Sequence, residues 1–68
     1  MDDFDFSAWL AEQIRKHDMS QLQVAQYAKI QPSNITLYLH KDQIPSLKNF
    51  LAILKAFGLR MEIRDDSD

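Results

Sequence analysis

The 68-residue sequence predicts a mainly α fold, four to five short helices followed by one short C-terminal β-strand. Three observations lead there. Apolar residues recur at helical spacing, most plainly Leu47, Phe50, Ile53, Leu54 and Phe57 on one face. Residues that start and stop helices punctuate the chain: Ser20 and Ser46 as caps, Pro32 in a first turn, and Gly58, the only glycine, as a terminator. After Gly58 the pattern turns from helical to alternating, with Leu59, Met61 and Ile63 interleaved with Arg60, Glu62 and Arg64.

Taken in order, Phe6, Leu10 and Ile14 form the stripe of a first helix that ends near His17, with Asp5 or Ser7 available as N-cap. Ser20-Gln21-Leu22-Gln23 reads as a capping box, in which the serine hydroxyl accepts from the third helical amide and the glutamine reaches back. Val24, Ala25 and Ala28 then make a narrow buried stripe whose small side chains let another helix approach closely. Pro32, whose missing N–H costs nothing in a first turn, opens a third helix running to about His40. A fourth begins after Ile44-Pro45 with Ser46 as cap and stops at Gly58. The terminal strand cannot satisfy its own backbone, so it needs a partner. That partner is either the same strand of a second copy across a two-fold axis or the N-terminal Asp3-Phe4-Asp5-Phe6; the first is favoured because it adds core.

Size makes such help valuable, because a chain this short buries only about 60% of the surface that its unfolded form exposes. Residues 1–68 are read as a single domain, with 1–5 and 65–68 as mobile acidic ends. Cysteine is absent, and His17 and His40 stand alone, so neither disulfides nor a metal is expected to staple the fold. The longest apolar run is far below the roughly 20 residues needed to cross a bilayer. The opening MDDFDF is unlike the basic start of a secretory signal, so a cytoplasmic protein is expected. No cofactor is indicated. No histidine has a serine or cysteine at motif spacing and there is no glycine-rich phosphate loop, which argues against an enzyme.

The overall charge of −2 is misleading, because the acids crowd the two ends. Between Phe6 and Arg64 there are eight lysines and arginines against four acids, a net +4. Local charge, and not overall pI, sets the field that a phosphate backbone meets. The capped second helix, a short turn and a short third helix together read as a helix-turn-helix, whose second member lies in the major groove. Within the third helix Ile35, Tyr38 and Leu39 should face the core, leaving Ser33, Asn34, Thr36, Leu37, His40 and Lys41 on a short, polar, slightly basic outer side.

The spacing of Ser20-Gln21, Val24-Ala25, Ala28, Ile30, Ser33, Ile35, Pro45-Ser46-Leu47, Phe50, Ile53 and Leu59 resembles, position for position, the Cro and lambda-repressor type of helix-turn-helix, the XRE family. The likeness runs from about Leu10 to Ile63 and implies a lambda-repressor-like domain that binds double-stranded DNA. It implies that Gln21 touches a phosphate or braces the third helix, that Ser33, Asn34, Thr36 and Leu37 meet base edges, and that His40, Lys41 and Lys48 meet the DNA backbone. The chemistry of these side chains suits such contacts, since Asn34 can bond adenine at two points, Ser33 and Thr36 can donate or accept, and Leu37 can pack on a thymine methyl. Lysines position without reading sequence. The closing Phe57-Gly58-Leu59-Arg60-Met61-Glu62-Ile63 looks like the terminal strand of HipB-like antitoxins, which implies a dimer-spanning sheet through Leu59, Met61 and Ile63.

Three positions depart from the family's habit. Lys29 stands where a glycine is common, and a left-handed conformation there would cost it about 1 kcal/mol or more. Gln31 stands where a serine or threonine usually caps, and Pro32, which cannot read a base, stands where a glutamine often opens the reading face. Each candidate also has a plainer role: Gln21 as a first-turn residue, Ser33 and Asn34 as caps, His40 as a solvated terminal residue, and Leu37 as a contact for another protein. Leu22 and Tyr27 should point outward from the second helix, as surface scatter or as a docking patch.

The expected function is that of a homodimeric, sequence-specific transcriptional repressor acting on a pseudo-palindromic operator. The alternative is the antitoxin of a toxin–antitoxin pair, which binds and neutralises a toxin protein and autoregulates its operon. A phage-type switch protein shares the same chemistry.

Overall fold

Four α-helices follow one another in the computed structural model, which describes residues 4–65: α1 (Phe6–Lys16), α2 (Gln21–Ala28), α3 (Pro32–Leu39) and α4 (Leu47–Ala56). Every start has a local chemical reason. The Asp5 carboxylate accepts the Ala8 N–H at 3.1 Å and so caps α1. At α2 the capping box is complete: Ser20 Oγ accepts from the Gln23 N–H at 3.1 Å, and Gln23 Oε1 accepts from the Ser20 N–H at 2.9 Å. Ser46 Oγ accepts the Asn49 N–H at 3.2 Å and caps α4. Only α3 lacks a side-chain cap; Pro32 instead presets its first turn.

The helix ends share one device. Each chain segment leaving a helix makes two backward bonds, from Asp18 and Met19, from Lys29 and Ile30, from Lys41 and Asp42, and from Gly58 and Leu59, at 2.8–3.3 Å. These satisfy carbonyls that the last turn leaves open, and they require a left-handed residue. Gly58 fills that place at φ 73°, but Asp18, Lys29 and Lys41 fill the others at 53°, 59° and 66°. A Cβ added at Gly58 would meet nothing within 4 Å, so dihedral freedom, not space, is what the glycine supplies.

α2 packs on both α3 and α4, and α1 packs on α3. Between them Leu10, Val24, Ile35, Tyr38 and Ile53 are sealed from water, joined by Phe6, Ala25, Ala28, Ile30 and Phe57. The small Ala25 and Ala28 sit where α2 meets its neighbours, as the sequence pattern requires. An aromatic cluster extends this core: Phe6 lies against Trp9, Tyr38 and Phe50 with ring centroids 5.7 Å apart in each pair. Trp9 also packs edge-on against Phe57.

Two expectations change. Spacing puts Leu47 on the buried face of α4, yet it is 65% exposed. As the first helical residue it sits on the rim beside Ile44 and Pro45, ahead of the turn where Phe50 reaches the core. Leu39 is half-buried and packs against the core, as its spacing requires. Among the described residues no strand forms: residues 59–65 lie without a ladder, because a lone strand within one chain has nothing to bond. The N-terminal segment is not that partner in its described part, since Asp5 caps α1 and Phe6 opens it. Asp2, Asp3, Asp66 and Asp68 lie outside the described residues.

The left-handed Lys29 gives a direct test. Left-handed geometry costs an L-residue roughly 1–2 kcal/mol, of which glycine's freer unfolded chain offsets about 0.4–1. Lys29→Gly should therefore raise stability in urea unfolding by about 0.5–1 kcal/mol; an unchanged or lower midpoint would contradict the strain.

Candidate nucleic-acid interface

An isolated eight-residue helix is not stable in water, so the orientation of α3 is set by what lies behind it. Ile35 and Tyr38 point inward and are sealed. The Tyr38 hydroxyl accepts from Asn49 Nδ2 at 3.2 Å, which ties α3 to α4. On the other flank the buried Ser7 hydroxyl donates to the Leu39 carbonyl at 2.6 Å, joining α1 to the end of α3. Phe6 presses edge-on against the Tyr38 ring. The back of α3 is thus held by apolar burial and by one hydrogen bond each to α1 and α4.

The front is open. Ser33 is exposed, Asn34 and Thr36 are half-buried, Leu37 is 36% exposed, and His40 is exposed at the C-cap. An apolar side chain left in water on an otherwise polar edge stands out, and Leu37 is that residue. The Asn34 N–H donates to the Gln31 carbonyl at 2.9 Å, so its backbone is committed to the helix start. No hydrogen bond from the Gln31 side chain covers the first turn of α3.

Gln21, at the first position of α2, reaches across to α3, where the Thr36 hydroxyl donates to Gln21 Oε1 at 3.2 Å. This bond ties the first turn of α2 to α3. Lys41, expected at the DNA backbone, forms an ion pair with Asp5 at 3.2 Å, which nothing in the sequence announces. Lys48 stands apart, exposed in the first turn of α4. The structure therefore groups Ser33, Asn34, Thr36, Leu37 and Gln21, draws Lys41 toward the N-terminal segment, and leaves Lys48 on a different helix.

Ser7, Asn49 and the Tyr38 hydroxyl are the polar anchors that sequence reasoning missed. Nothing in their spacing marks them, because each partner lies on another helix. Among the described residues no group of three or more histidines, cysteines and acids could hold a metal, and no helix is long and apolar enough to cross a membrane.

A helix-turn-helix family model matches residues 10–63, from inside α1 through α4 into the C-terminal segment. The chain belongs to the helix-turn-helix family. It is a DNA-binding domain of the XRE type, and its family works in transcription regulation. No curated protein and no solved structure matches it. In this helix-turn-helix domain α2 and α3 are the paired helices, and the turn between them passes through left-handed Lys29 and buried Ile30.

The Asp5 clasp on Lys41 carries a pH consequence. The Ala8 N–H first, and then the Lys41 ammonium, hold the Asp5 carboxyl below the usual carboxylate range. Its stabilising charge is therefore present above the ordinary carboxylate pKa and is lost as pH falls through the lowered folded value. Asp5→Asn keeps a capping oxygen but removes the charge. The melting temperature of this variant should lie below that of the parent at neutral pH, and the gap should close in acid. A gap that persists unchanged at low pH would place the effect elsewhere.

Proposed function

We propose that this helix-turn-helix domain is a sequence-specific transcriptional repressor that acts as a homodimer on a pseudo-palindromic operator. The observation that carries the reading is the two-sidedness of α3: Ile35 and Tyr38 are fixed in the core while Ser33, Asn34 and Leu37 remain toward solvent. Asn34 bonds an adenine edge, Ser33 donates or accepts, and Leu37 seats against a thymine methyl. Gln21, His40 and Lys48 contact the backbone, and Lys41 joins them by exchanging Asp5 for a phosphate.

One monomer offers few such contacts. A dimer places two reading helices about 34 Å apart, one turn of DNA, and doubles them. The C-terminal segment supports pairing between copies: Leu59, Met61 and Ile63 are 39%, 42% and 88% exposed, and Leu59 and Met61 line an apolar groove with Leu51 and Leu54. Burying them against a second copy would supply core that a chain of this size lacks. Cytoplasmic placement follows from an operator as target.

A second reading, the antitoxin, draws on α2. Leu22 and Tyr27 are 55% and 68% exposed on that helix, available to a toxin partner. Recovery of a stoichiometric protein partner whose binding is lost on substituting these two residues would favour it.

Selection from a random duplex library followed by gel shift tests the main reading. The parent should enrich a two-fold symmetric site and sediment as a dimer. Its log affinity should fall linearly with log salt. Asn34→Ala and Leu37→Ala should each weaken that site by about 1–3 kcal/mol per altered base contact with the helical circular dichroism unchanged. A salt slope near zero, or full affinity in both variants, would overturn the assignment.

A further inference from the structure

A cleft separate from the outer side of α3 opens where α2 meets the last turn of α4. Ala28, Ala52 and Ala56 floor it, Tyr27 walls it, and Lys29 and Lys55 line its rim; it encloses about 400 Å3. We propose that this cleft receives the acidic residues Asp66-Ser67-Asp68 of a second copy, so that each protomer latches the other by charge. The inference rests on the pairing of C-terminal segments proposed above and states where those segments lead.

The lining decides the class of ligand. Both lysines are exposed and no acid lines the cleft. Among the described residues neither ammonium has an ion-pair partner. The Tyr27 ring is exposed, and its hydroxyl is one more donor for a carboxylate. Alanine side chains admit close approach but offer an occupant no hydrogen bond. The cleft therefore suits a slender segment whose polar groups are anionic acceptors. Lys29 adds a further sign, because it holds its charge on left-handed backbone, at φ 59°, where a glycine would be less strained. A cation kept at a strained position fits a role in binding.

Position selects the segment. Acids outside residues 6–64 stand only at the two ends, and at the N-terminal end Asp5 is committed to the Ala8 amide and to Lys41. At the other end the Leu59 N–H bonds the Leu54 carbonyl at 2.8 Å, which seats the start of the C-terminal segment on the last turn of α4. Lys55 borders both the groove lined by Leu59 and Met61 and the alanine-floored cleft. The alternation of Leu59, Met61 and Ile63 is symmetric about Met61, so a two-fold pairing that matches all three apolar residues sets Met61 against Met61. Leu59 then faces Ile63 of the second copy, and the three residues that follow, at about 3.3 Å each, carry Asp66 about 10 Å beyond that point. In this register residue 66 comes level with residue 56 of the opposite copy, and residue 68 with residue 54. The acids arrive at the turn of α4 that bears Lys55, and the two-fold axis makes a second latch in the reverse direction.

Sedimentation equilibrium of the 68-residue protein and its variants tests the latch. Asp66→Asn combined with Asp68→Asn should weaken the dimer about tenfold at low salt. The difference should vanish at about 1 M salt, where charges are screened beyond about 3 Å. Lys29→Gln combined with Lys55→Gln should behave alike. A charge exchange separates a second copy from the chain's own end as the source of the acids. One variant carries Asp66→Lys and Asp68→Lys, the other Lys29→Glu and Lys55→Glu. Each alone should dimerise more weakly than the parent, and mixing them should give heterodimer in excess of statistical mixing, because both latches then join opposite charges. Helical circular dichroism should stay unchanged throughout. Statistical mixing, the result if the acids lie on their own chain's cleft, overturns the inference, and so does parent-strength dimerisation of the asparagine variant at low salt. A monomeric parent fails the pairing reading and the inference together, whereas a dimeric parent with either of those outcomes fails the inference alone.

Discussion

The sealing of Tyr38 is the constraint on which the rest of this molecule depends. Its ring is surrounded by Phe6 and the α2–α4 core, and its hydroxyl must find a partner because an unpaired buried polar group costs roughly 1–3 kcal/mol. Asn49 provides it, so one residue joins α3 to α4 by both apolar and polar means. Ser7 does the same for the neighbouring turn from the α1 side. Because Ile35 and Tyr38 are one helical turn apart and both inward, no rotation of α3 can bury its outer side without exposing this pair. The direction in which Ser33, Asn34 and Leu37 face is therefore a property of the core, fixed by packing as much as by polar chemistry.

Much of this arrangement is legible in the amino-acid order, and the reason is locality. Caps act within three residues, so Ser20, Gln23 and Ser46 announce their helices without knowledge of the fold. The stripes through Phe6 and Leu10, Val24 and Ala28, and Ile53 and Phe57 are equally local, and all are buried. The left-handed demand on Lys29 can be inferred from its place in the turn, and its φ of 59° meets that demand. What stayed hidden depends on distance across the fold. The Asp5–Lys41 pair spans 36 positions, Ser7 and Leu39 span 32, and no periodicity relates them. Leu47 misleads for the same reason: its spacing matches the buried face of α4, but exposure at a helix start is decided by where the neighbours end.

The terminal alternation of Leu59, Met61 and Ile63 shows a different limit. Alternation describes what a segment can do once paired, whereas pairing itself requires a second row of amides and carbonyls. Within one chain the described residues offer none, and the segment stays open with its apolar groups facing water. The pattern in the sequence and the open segment are compatible, since alternation states a capacity that only pairing would realise.

The clasp between Asp5 and Lys41 also alters how the domain meets polyanions in general. While closed, it leaves little net charge at the end of α3, and any phosphate approaching Lys41 encounters the aspartate as well. Loose, sequence-blind sticking to nucleic acid draws its strength from such surface cations. In the proposed complex, a cation that must first be released from its own carboxylate would contribute less to that background than to a close fit in which neighbouring contacts offset the exchange.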